Sequence, residues 1–249
     1  MKALILAAGY ATRLYPLTKE YPKPLLQVAG RPMIDYIVDK LASVDEVDEI
    51  IVITNSKFIE RFREWAGKQV TQKKISLVDD QTRSLHDRRG AIGDIAFAID
   101  QGHIADDLLV IGGDNLFDEE LVEFVAFAQA QRPMPVIGAY DIAKIAQASK
   151  YGVIKVDSRR LIIDFQEKPK NPESTLVAMC LYFFPREKLP RIGEYLDSKT
   201  DKKDATGFYI DWLTKKEKVM AYIFQGHWYD IGHHELYNKA KEHYSDGDA

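Results

Sequence analysis

The chain has 249 residues, of which 46% are hydrophobic and 29% are charged. This composition excludes a disordered protein and fits one large globular domain, or a domain with a small elaboration. The net charge of -4 and the isoelectric point near 5.9 argue against a general affinity for nucleic acid or for anionic membrane surfaces. An anionic ligand must therefore be bound by a local cluster of positive side chains.

The first half of the chain alternates short apolar runs with stretches of helical periodicity. The runs rich in Val, Ile and Leu predict strands over residues 2–7, 49–54, 75–78, 108–111 and 136–140. Helical spacing of apolar residues predicts helices over 33–41, 58–66, 91–99 and 119–130. This alternation predicts an α/β protein with a Rossmann-like, mostly parallel sheet flanked by helices. In such sheets, ligands bind beyond the carboxyl ends of the strands.

The pattern changes after about residue 150. Strand-like runs cover 151–157, 161–169, 176–184 and 219–224, and helices are predicted over 186–197, 207–215 and 233–243. Because little helix separates the first three runs, we predict an antiparallel addition to the same sheet, which covers its ligand edge. The sequence contains no internal repeat and no long linker, so we expect a single domain over residues 1–249.

Cysteine content and apolar run lengths bear on the compartment. The single cysteine, Cys180, excludes an internal disulfide and favours a reducing environment. The opening run MKALILAAG is too short for a signal peptide, and no later run approaches a membrane span. We therefore expect a cytoplasmic protein that binds no membrane.

The loop after the first strand has the residues of an anion site. Gly9 follows the strand directly, where backbone amides can approach an anion if no side chain intervenes. Thr12 could bond a phosphate oxygen, Arg13 offers a planar fork of donors, and Lys23 offers a compact charge between two prolines. We predict that this loop binds phosphate.

Acidic residues follow two later strand-like runs. Asp114 stands after two glycines, and Asp230 precedes a predicted helix. Carboxylates at the ligand edge of such a sheet suit Mg²⁺, which takes one or two of them together with substrate phosphates. Taken alone, each segment also fits a simpler structure, an Asp-Asn turn at Asp114 and a helix cap at Asp230.

The strand-like runs after residue 150 suggest a second ligand. Glu167 could accept hydrogen bonds from two vicinal hydroxyl groups, and Lys168 could bind a phosphate. Gly152 would allow a close approach of the backbone to a ligand. An ordinary hairpin with exposed charges explains the same residues equally well.

The segment LAAGYATRLYPLTKEYPKPLLQVAGRPMIDY resembles the signature of the sugar-1-phosphate nucleotidylyltransferases, L-A-[AG]-G-x-G-T-R-L-x-P-L-T followed by P-K-P-L-L-x-V-x-G-x-P-[ML]-I. The segments LLVIGGDNLF, YGV, EKP and GHWYDIGHHELY resemble later parts of the family, so the resemblance covers nearly the whole chain. It is strongest to the enzymes that join glucose 1-phosphate to dTTP or UTP. The chain carries no hexapeptide repeats, and we therefore expect a short form without a β-helix domain.

The resemblance implies the nucleotide-diphospho-sugar transferase fold and a Mg²⁺-dependent reaction that yields an NDP-sugar and pyrophosphate. By it, the first 140 residues are mainly nucleotide-binding, and residues 141–249 supply the sugar side and the second metal ligand. Arg13 would neutralise the leaving pyrophosphate and Lys23 the α-phosphate, with Asp114 and Asp230 holding the metal. The implied nucleotide-binding residues are Ala8, Gly9, Tyr10, Ala11, Thr12, Arg13, Gln81, Gly90 and Gly113, and the implied sugar-phosphate residues are Gly152, Glu167 and Lys168.

The chain departs from the family pattern at several positions. Ala11 stands in place of a second glycine, and the added methyl group is compatible with the family backbone if φ at this position is negative. Cys180 also replaces a glycine, and its apolar neighbours suggest burial rather than a nucleophile. The base-reading segment aligns loosely in DRRGAIGDIAFA, so the base preference and the roles of Arg88, Arg89 and Asp94 stay unassigned.

Two other functions fit parts of the pattern. One is a cytidylyltransferase that acts on an alcohol phosphate such as phosphocholine, and the other is a non-catalytic sensor of nucleotide sugars. The YGV and EKP segments favour a sugar substrate, and the retained Arg13, Lys23, Asp114 and Asp230 favour catalysis. The resemblance also leaves a homo-oligomer open.

Overall fold

The computed structural model of the chain describes residues 1–198 and 204–245. Its strands are β1 Lys2–Leu6, β2 Gln27–Val28, β3 Arg31–Pro32, β4 Glu49–Thr54, β5 Lys74–Asp79, β6 Leu108–Gly112, β7 Asn115–Phe117, β8 Val136–Asp141, β9 Gly152–Val156, β10 Ile162–Glu167, β11 Leu176–Phe184, β12 Met220–Phe224 and β13 Trp228–Asp230. Its helices are α1 Met33–Ala42, α2 Ile59–Ala66, α3 Ala91–Gln101, α4 Leu121–Ala130, α5 Ile145–Ala148, α6 Pro190–Asp197, α7 Thr206–Thr214 and α8 His234–Ser245.

Nine of these strands form one mixed sheet. Its parallel part has the order β6-β1-β4-β5. Strands β1 and β6 lie in the middle of the whole sheet. The two central strands consist almost entirely of buried Leu, Ile, Val and Ala, because helices pack on both faces of the sheet. The predicted Rossmann-like α/β architecture is confirmed, and no helix in the described part of the chain is long and apolar enough to cross a membrane.

The second half of the chain extends the same sheet through β11. This strand runs antiparallel to β6, β8 and β9, and β10 follows β9 at the edge. The predicted antiparallel addition is confirmed. Its place in the sequence suggested that the strand over residues 136–140 lies beside the other first-half strands. It does not, because β11 lies between β8 and β6. On its outer side β8 pairs with β12 in parallel.

The described helices differ from the predicted ones mainly at their ends. The largest shift is at α6, which begins at Pro190 rather than at residue 186, after a separate 3₁₀ turn over Arg186–Lys188. Proline at the first helical position is favoured, since the amide hydrogen that it lacks would have no partner inside the helix.

A small antiparallel pair, the β7–β13 ribbon (Asn115–Phe117 with Trp228–Asp230), lies beside the main sheet. Asp230 pairs with Asn115, so one end of the ribbon lies next to Asp114. Helix α8 packs against the ribbon through Ala240 and Tyr244, in an apolar cluster that also contains Leu14. The ribbon therefore joins two loops that are more than a hundred residues apart in the chain.

Candidate active site

A cleft of about 310 Å³ opens beyond the carboxyl ends of the central strands. Its walls include six of the residues that the sequence singled out: Arg13, Asp114, Gly152, Glu167, Lys168 and Asp230. They come from the first loop, the end of β6, the β9–β10 hairpin and the end of β13. Tertiary folding thus brings Arg13 of the predicted phosphate loop, both predicted metal ligands and the predicted sugar residues into one cavity.

Lys23 belongs to the same site although it does not line the cleft wall. It begins a short 3₁₀ turn after Pro22, and its ammonium group forms an ion pair with a carboxylate oxygen of Asp114. The Lys23 side chain is 12% exposed and that of Asp114 is 32% exposed. Both side chains are therefore mostly covered, and water screens their charges only in part.

The pKa of Asp230 is shifted by its surroundings. Burial and the neighbouring charge of Asp114 raise the pKa of Asp230 to about 6, against the opposing charges of Lys23, Arg13 and Lys168. Two acidic side chains that interact electrostatically and line the same cleft offer the oxygen donors that a hard divalent cation prefers. Asp114 and Asp230 fit a site for Mg²⁺.

Hydrogen bonds to the rest of the protein fix the first loop and leave open space beside Gly9. The Asn55 side-chain amide donates to the carbonyl of Ala8 over 2.8 Å, and the Thr18 hydroxyl donates to the carbonyl of Ala11 over 2.7 Å. The Tyr10 hydroxyl lies 3.3 Å from that of Thr82 and so points into the protein. At Gly9, a Cβ atom would meet no atom of the described chain within 4 Å. The loop is thus rigid, with space for a ligand beside its backbone.

The structure does not meet the condition of a negative φ at Ala11. Ala11 has φ 46° and ψ 43°, the left-handed conformation, and directly precedes the 3₁₀ turn Thr12–Leu14. The backbone turn here needs this conformation, because the carbonyl of Ala11 accepts hydrogen bonds from the Leu14 amide and the Thr18 hydroxyl. An L-residue with a Cβ atom is strained in this region, so the family glycine has a conformational reason.

We expect Ala11→Gly to raise the free energy of unfolding by about 1 kcal/mol, because glycine adopts the left-handed region without steric cost. Ala11→Val should lower it by more than that, since a β-branched side chain is worse there than alanine. Urea unfolding measures both effects. Ala8→Gly, in the same loop but without a positive φ, is the control and should be destabilising. A stability gain in Ala8→Gly equal to that of Ala11→Gly would contradict the explanation.

Glu167 is positioned by two glycines of the protein itself. Its side chain is only 6% exposed. A Cβ atom at Gly207, near the start of α7, would lie 1.8 Å from Glu167 Oε2, and one at Gly152 would lie 3.1 Å from it and 2.5 Å from the Phe165 ring. The absence of a side chain at Gly152 makes room for Phe165 and Glu167, and the close approach of a ligand to Gly152 stays a prediction. Burial raises the pKa of Glu167, and Lys168 opposes that shift.

Cys180 lies at an irregularity of β11 with φ 54°. Its sulfur is 3.9 Å from the Thr206 hydroxyl, and burial, together with the charge of Asp114, raises the pKa of the thiol to about 12. The thiol is therefore neutral at physiological pH and unsuited to nucleophilic attack, as predicted. As at Ala11, the residue that replaces a family glycine here has a left-handed backbone conformation.

Most of the predicted nucleotide-binding residues do not line this cleft, and Arg13 is the one that does. Gln81 and Gly90 are in the loop between β5 and α3, with φ values of 67° and 76°. Gly113 is packed by the protein itself, because a Cβ atom there would lie 2.8 Å from the carbonyl oxygen of Leu6. Thr12 is exposed in the first loop. Their contact with a nucleotide stays a prediction.

The two arginines of the same loop have partners in the protein. Arg88 forms a two-point ion pair with Asp204, which precedes α7 on the cleft wall. The Arg89 side chain donates to the carbonyl of Asp80 over 2.6 Å, and its guanidinium lies 3.9 Å from the centre of the Phe97 ring. Arg88 therefore connects the loop between β5 and α3 to the segment before α7. Arg89 stabilises the same loop through its contacts with Asp80 and Phe97.

Asp94 is a buried acid behind this loop. It lies in the first turn of α3, and one of its carboxyl oxygens has no hydrogen-bond partner in the described chain. Burial and the charge of Asp80 raise its pKa to about 8. The folded protein thus holds a proton on Asp94 between about pH 4 and pH 8 that the unfolded chain releases.

We expect the free energy of unfolding to fall between about pH 4 and pH 8 by about 1.4 kcal/mol per pH unit for this proton, and Asp94→Asn to remove that slope. Asparagine resembles the protonated acid, so the variant should gain stability over the wild type as the pH rises to 8. Urea unfolding at pH 5 and pH 8 tests this, with Asp100→Asn, exposed on the same helix, as the control. Parallel pH profiles of Asp94→Asn and wild type would refute the assignment.

Several residues of the cleft escaped the sequence reasoning. The hydroxyl groups of Tyr182 and Thr206 lie 2.7 Å apart on the sugar side. The Trp228 indole donates to the Asn115 side chain over 3.1 Å, and Asn115 in turn donates to the backbone of β11. Trp228 and Asn115 stand within two residues of the predicted aspartates, which is the signal that could have identified them.

The chain belongs to the nucleotidyl transferase family, whose model matches residues 2–247. It is 29% identical over 235 residues to the bifunctional protein GlmU of Methanocaldococcus jannaschii, covering 93% of this chain and 51% of that protein. It is 31% identical over 232 residues to a Sulfolobus acidocaldarius protein named as a mannose-1-phosphate guanyltransferase, covering 93% of this chain and 60% of the relative. The chain therefore spans about half the length of the curated relatives that it matches.

Solved structures share the fold over nearly all of the chain. An apo UDP-glucose pyrophosphorylase superposes with a TM-score of 0.83 at 22% identity, covering 100% of this chain and 99% of the other. A Bacillus anthracis protein named as a glucose-1-phosphate thymidylyltransferase gives 0.80 at 24% identity, covering 99% and 96%. The resemblance inferred from the sequence motifs is thus confirmed for the family and for the fold.

Proposed function

We propose that this protein transfers a nucleotidyl group from a nucleoside triphosphate to a sugar 1-phosphate and releases pyrophosphate. The observation that carries the proposal is the convergence of two charged sets in one cleft. One set is Arg13 with Asp114 and Asp230, to which Lys23 is joined by its ion pair with Asp114, and the other set is Glu167 with Lys168. Phosphoryl transfer depends on such positioning and charge neutralisation more than on covalent catalysis.

The charge balance of the cleft supports a need for Mg²⁺. Basic and acidic groups of the site are equal in number, so little positive charge is left for a triphosphate. The basic groups are Arg13, Lys150 and Lys168 of the lining together with Lys23, and the acidic groups are Asp114, Glu167, Asp204 and Asp230. Asp114 and Asp230 would hold the ion. When bound, Mg²⁺ supplies charge neutralisation at the phosphates.

The proposed step is an in-line displacement at phosphorus. An oxygen of the sugar phosphate forms a bond to the α-phosphorus as the bond to the bridging oxygen of the β-phosphate breaks, and pyrophosphate leaves. Lys23 stabilises charge on the α-phosphate and Arg13 on the leaving group. Glu167 orients the sugar through its hydroxyl groups, and Lys168 holds the acceptor phosphate. The neutral thiol of Cys180 takes no part.

We infer that glucose 1-phosphate with dTTP or UTP is the substrate pair, on the strength of the first-loop signature. The relatives' names point to several pairs, including mannose 1-phosphate with a guanyl donor. The test is a matrix of sugar 1-phosphates (glucose, N-acetylglucosamine, mannose and galactose) against ATP, CTP, GTP, UTP and dTTP. Pyrophosphate release is measured with MgCl₂ and with EDTA, and phosphocholine with CTP is an added acceptor.

The outcomes separate the functions. Release from one sugar and base pair, abolished by EDTA, supports the proposal and identifies the substrates. Release from phosphocholine and CTP alone indicates a cytidylyltransferase for alcohol phosphates. No release from any pair, together with tight binding of UDP-glucose or dTDP-glucose in calorimetry, indicates a sensor and refutes the proposed catalysis.

A further inference from the structure

A second set of side chains of the types that bind metals lies at the other end of the β7–β13 ribbon. Asp118 follows β7, His227 precedes β13, and His243 is in the last turn of α8. One ligand atom of each residue lies within 4.8 Å of the other two. Because they come from three separate segments, their proximity is a product of the tertiary fold.

The three side chains are already oriented toward one another. His227 Nδ1 lies 2.8 Å from one carboxylate oxygen of Asp118, and His243 Nε2 lies 3.4 Å from the other. The two imidazole rings are 4.4 Å apart between centroids. Each histidine thus presents one ring nitrogen to the same carboxylate.

The backbone supports this arrangement. The His227 amide donates to Asp118 Oδ2 over 2.8 Å, and the Asp118 amide donates to the carbonyl of His227 over 3.1 Å. Gly226 turns the chain into position with φ 74°, and a Cβ atom there would lie 3.2 Å from Asp118. The carboxylate is therefore fixed by main-chain contacts before any ligand binds, as a well-formed metal site requires.

In the described chain the Asp118 carboxylate has only the two histidines as ion-pair partners. The nearest lysine, Lys40, donates to the backbone carbonyl of Asp118 over 2.8 Å and pairs with Glu120 rather than with the Asp118 carboxylate. A cation would therefore meet an acceptor that no lysine has neutralised.

We propose that Asp118, His227 and His243 bind a transition-metal ion of the Zn²⁺ class, separate from the nucleotide site. Two imidazole nitrogens and one carboxylate suit Zn²⁺, whereas Mg²⁺ and Ca²⁺ prefer oxygen donors alone. His227 is 61% exposed, so water can complete the coordination on that side.

The bound ion would fasten the C-terminal helix to the ribbon. Ala240 and Tyr244 of α8 already pack with Ile231, which follows Asp230, and with Leu14 of the first loop. An ion that binds only the folded state stabilises it by mass action. The proposed site therefore connects metal binding to the stability of the elements that carry Arg13 and Asp230.

The test is calorimetric titration of the full chain with Zn²⁺, followed by thermal unfolding with and without the ion. We expect one equivalent to bind and to raise the melting temperature. His227→Gln, His243→Gln and Asp118→Asn should each weaken binding by at least about 10–100-fold and abolish the thermal shift. These near-isosteric changes are checked for folding by their melting temperatures without Zn²⁺.

Two controls make the result specific. His234→Ala removes an exposed histidine of the same helix, outside the cluster, and should leave the Zn²⁺ affinity unchanged. The double variant Asp114→Asn/Asp230→Asn removes the carboxylates of the nucleotide site and should also bind Zn²⁺ normally. The proposal is overturned if the wild type shows no saturable binding, if the three cluster variants bind like wild type, or if the double variant loses the ion.

Discussion

We expect Asp230→Asn to lower the rate of pyrophosphate release by at least about 100-fold, because the proposed metal loses a charged ligand at the transferring phosphate. Asp114→Asn should have an effect of similar size. Steady-state assays at saturating substrate and a range of Mg²⁺ concentrations measure both. Because burial and the Asp114 charge raise the pKa of Asp230, its ionised form opposes folding at neutral pH. Asp230→Asn should therefore be at least as stable as the wild type.

This combination separates a catalytic loss from unfolding. The control is Asp211→Asn on α7, where the aspartate pairs with Lys215 over 2.7 Å away from the carboxylate pair and should be dispensable for turnover. If either Asp114→Asn or Asp230→Asn kept near-normal Mg²⁺-dependent activity, the two-carboxylate site would be wrong.

The second large effect is expected at Lys23. Lys23→Ala should slow the chemical step by about 100-fold while changing nucleotide binding much less, because the ammonium acts where charge develops on the α-phosphate. The substitution also leaves the Asp114 carboxylate without its ion-pair partner. Single-turnover rates at saturating nucleotide isolate the chemical step, and equilibrium titration gives the nucleotide affinity.

Lys57→Ala is the matched control for Lys23. Lys57 is an exposed lysine that contacts the carbonyl of Lys19 and, at 3.9 Å, the side chain of Glu20. Its removal should alter neither the single-turnover rate nor the affinity. An unchanged single-turnover rate in Lys23→Ala would remove the residue from the mechanism, whereas a loss confined to affinity would make it a binding residue only.

Most of the sheet could be predicted because its signals are local. Buried apolar runs flanked by glycine mark β1 and β6, and helical spacing marks the helices that cover them. The position of β8 could not be predicted, since β11, which lies between it and β6, comes about forty residues later in the chain. Strand order is set by pairing across the whole domain and leaves no local mark.

The candidate site divides in the same way. Arg13 and Asp114 could be chosen from the sequence, because charged residues after buried strands fall at the ligand edge of such a sheet. Asp230 could be chosen because its segment resembles a family segment, although it ends the half-buried β13 outside the main sheet. The left-handed backbone at Ala11 could not, since alanine carries no sign of a positive φ. The fit of Glu167 against Gly207 was equally hidden, because the two residues meet only when α7 packs on β10.

The sequence by itself determined the family, the α/β sheet and the chemical character of the cleft, because these depend on residue types and on short-range periodicity. Only the tertiary structure decided which charges face one another. It joined Lys23 to Asp114, set Asp230 beside them through the β7–β13 ribbon, and brought Asp118, His227 and His243 together at the ribbon's other end. Side chains from distant segments become neighbours only through packing, and their pKa values and metal-binding capacity follow from those contacts.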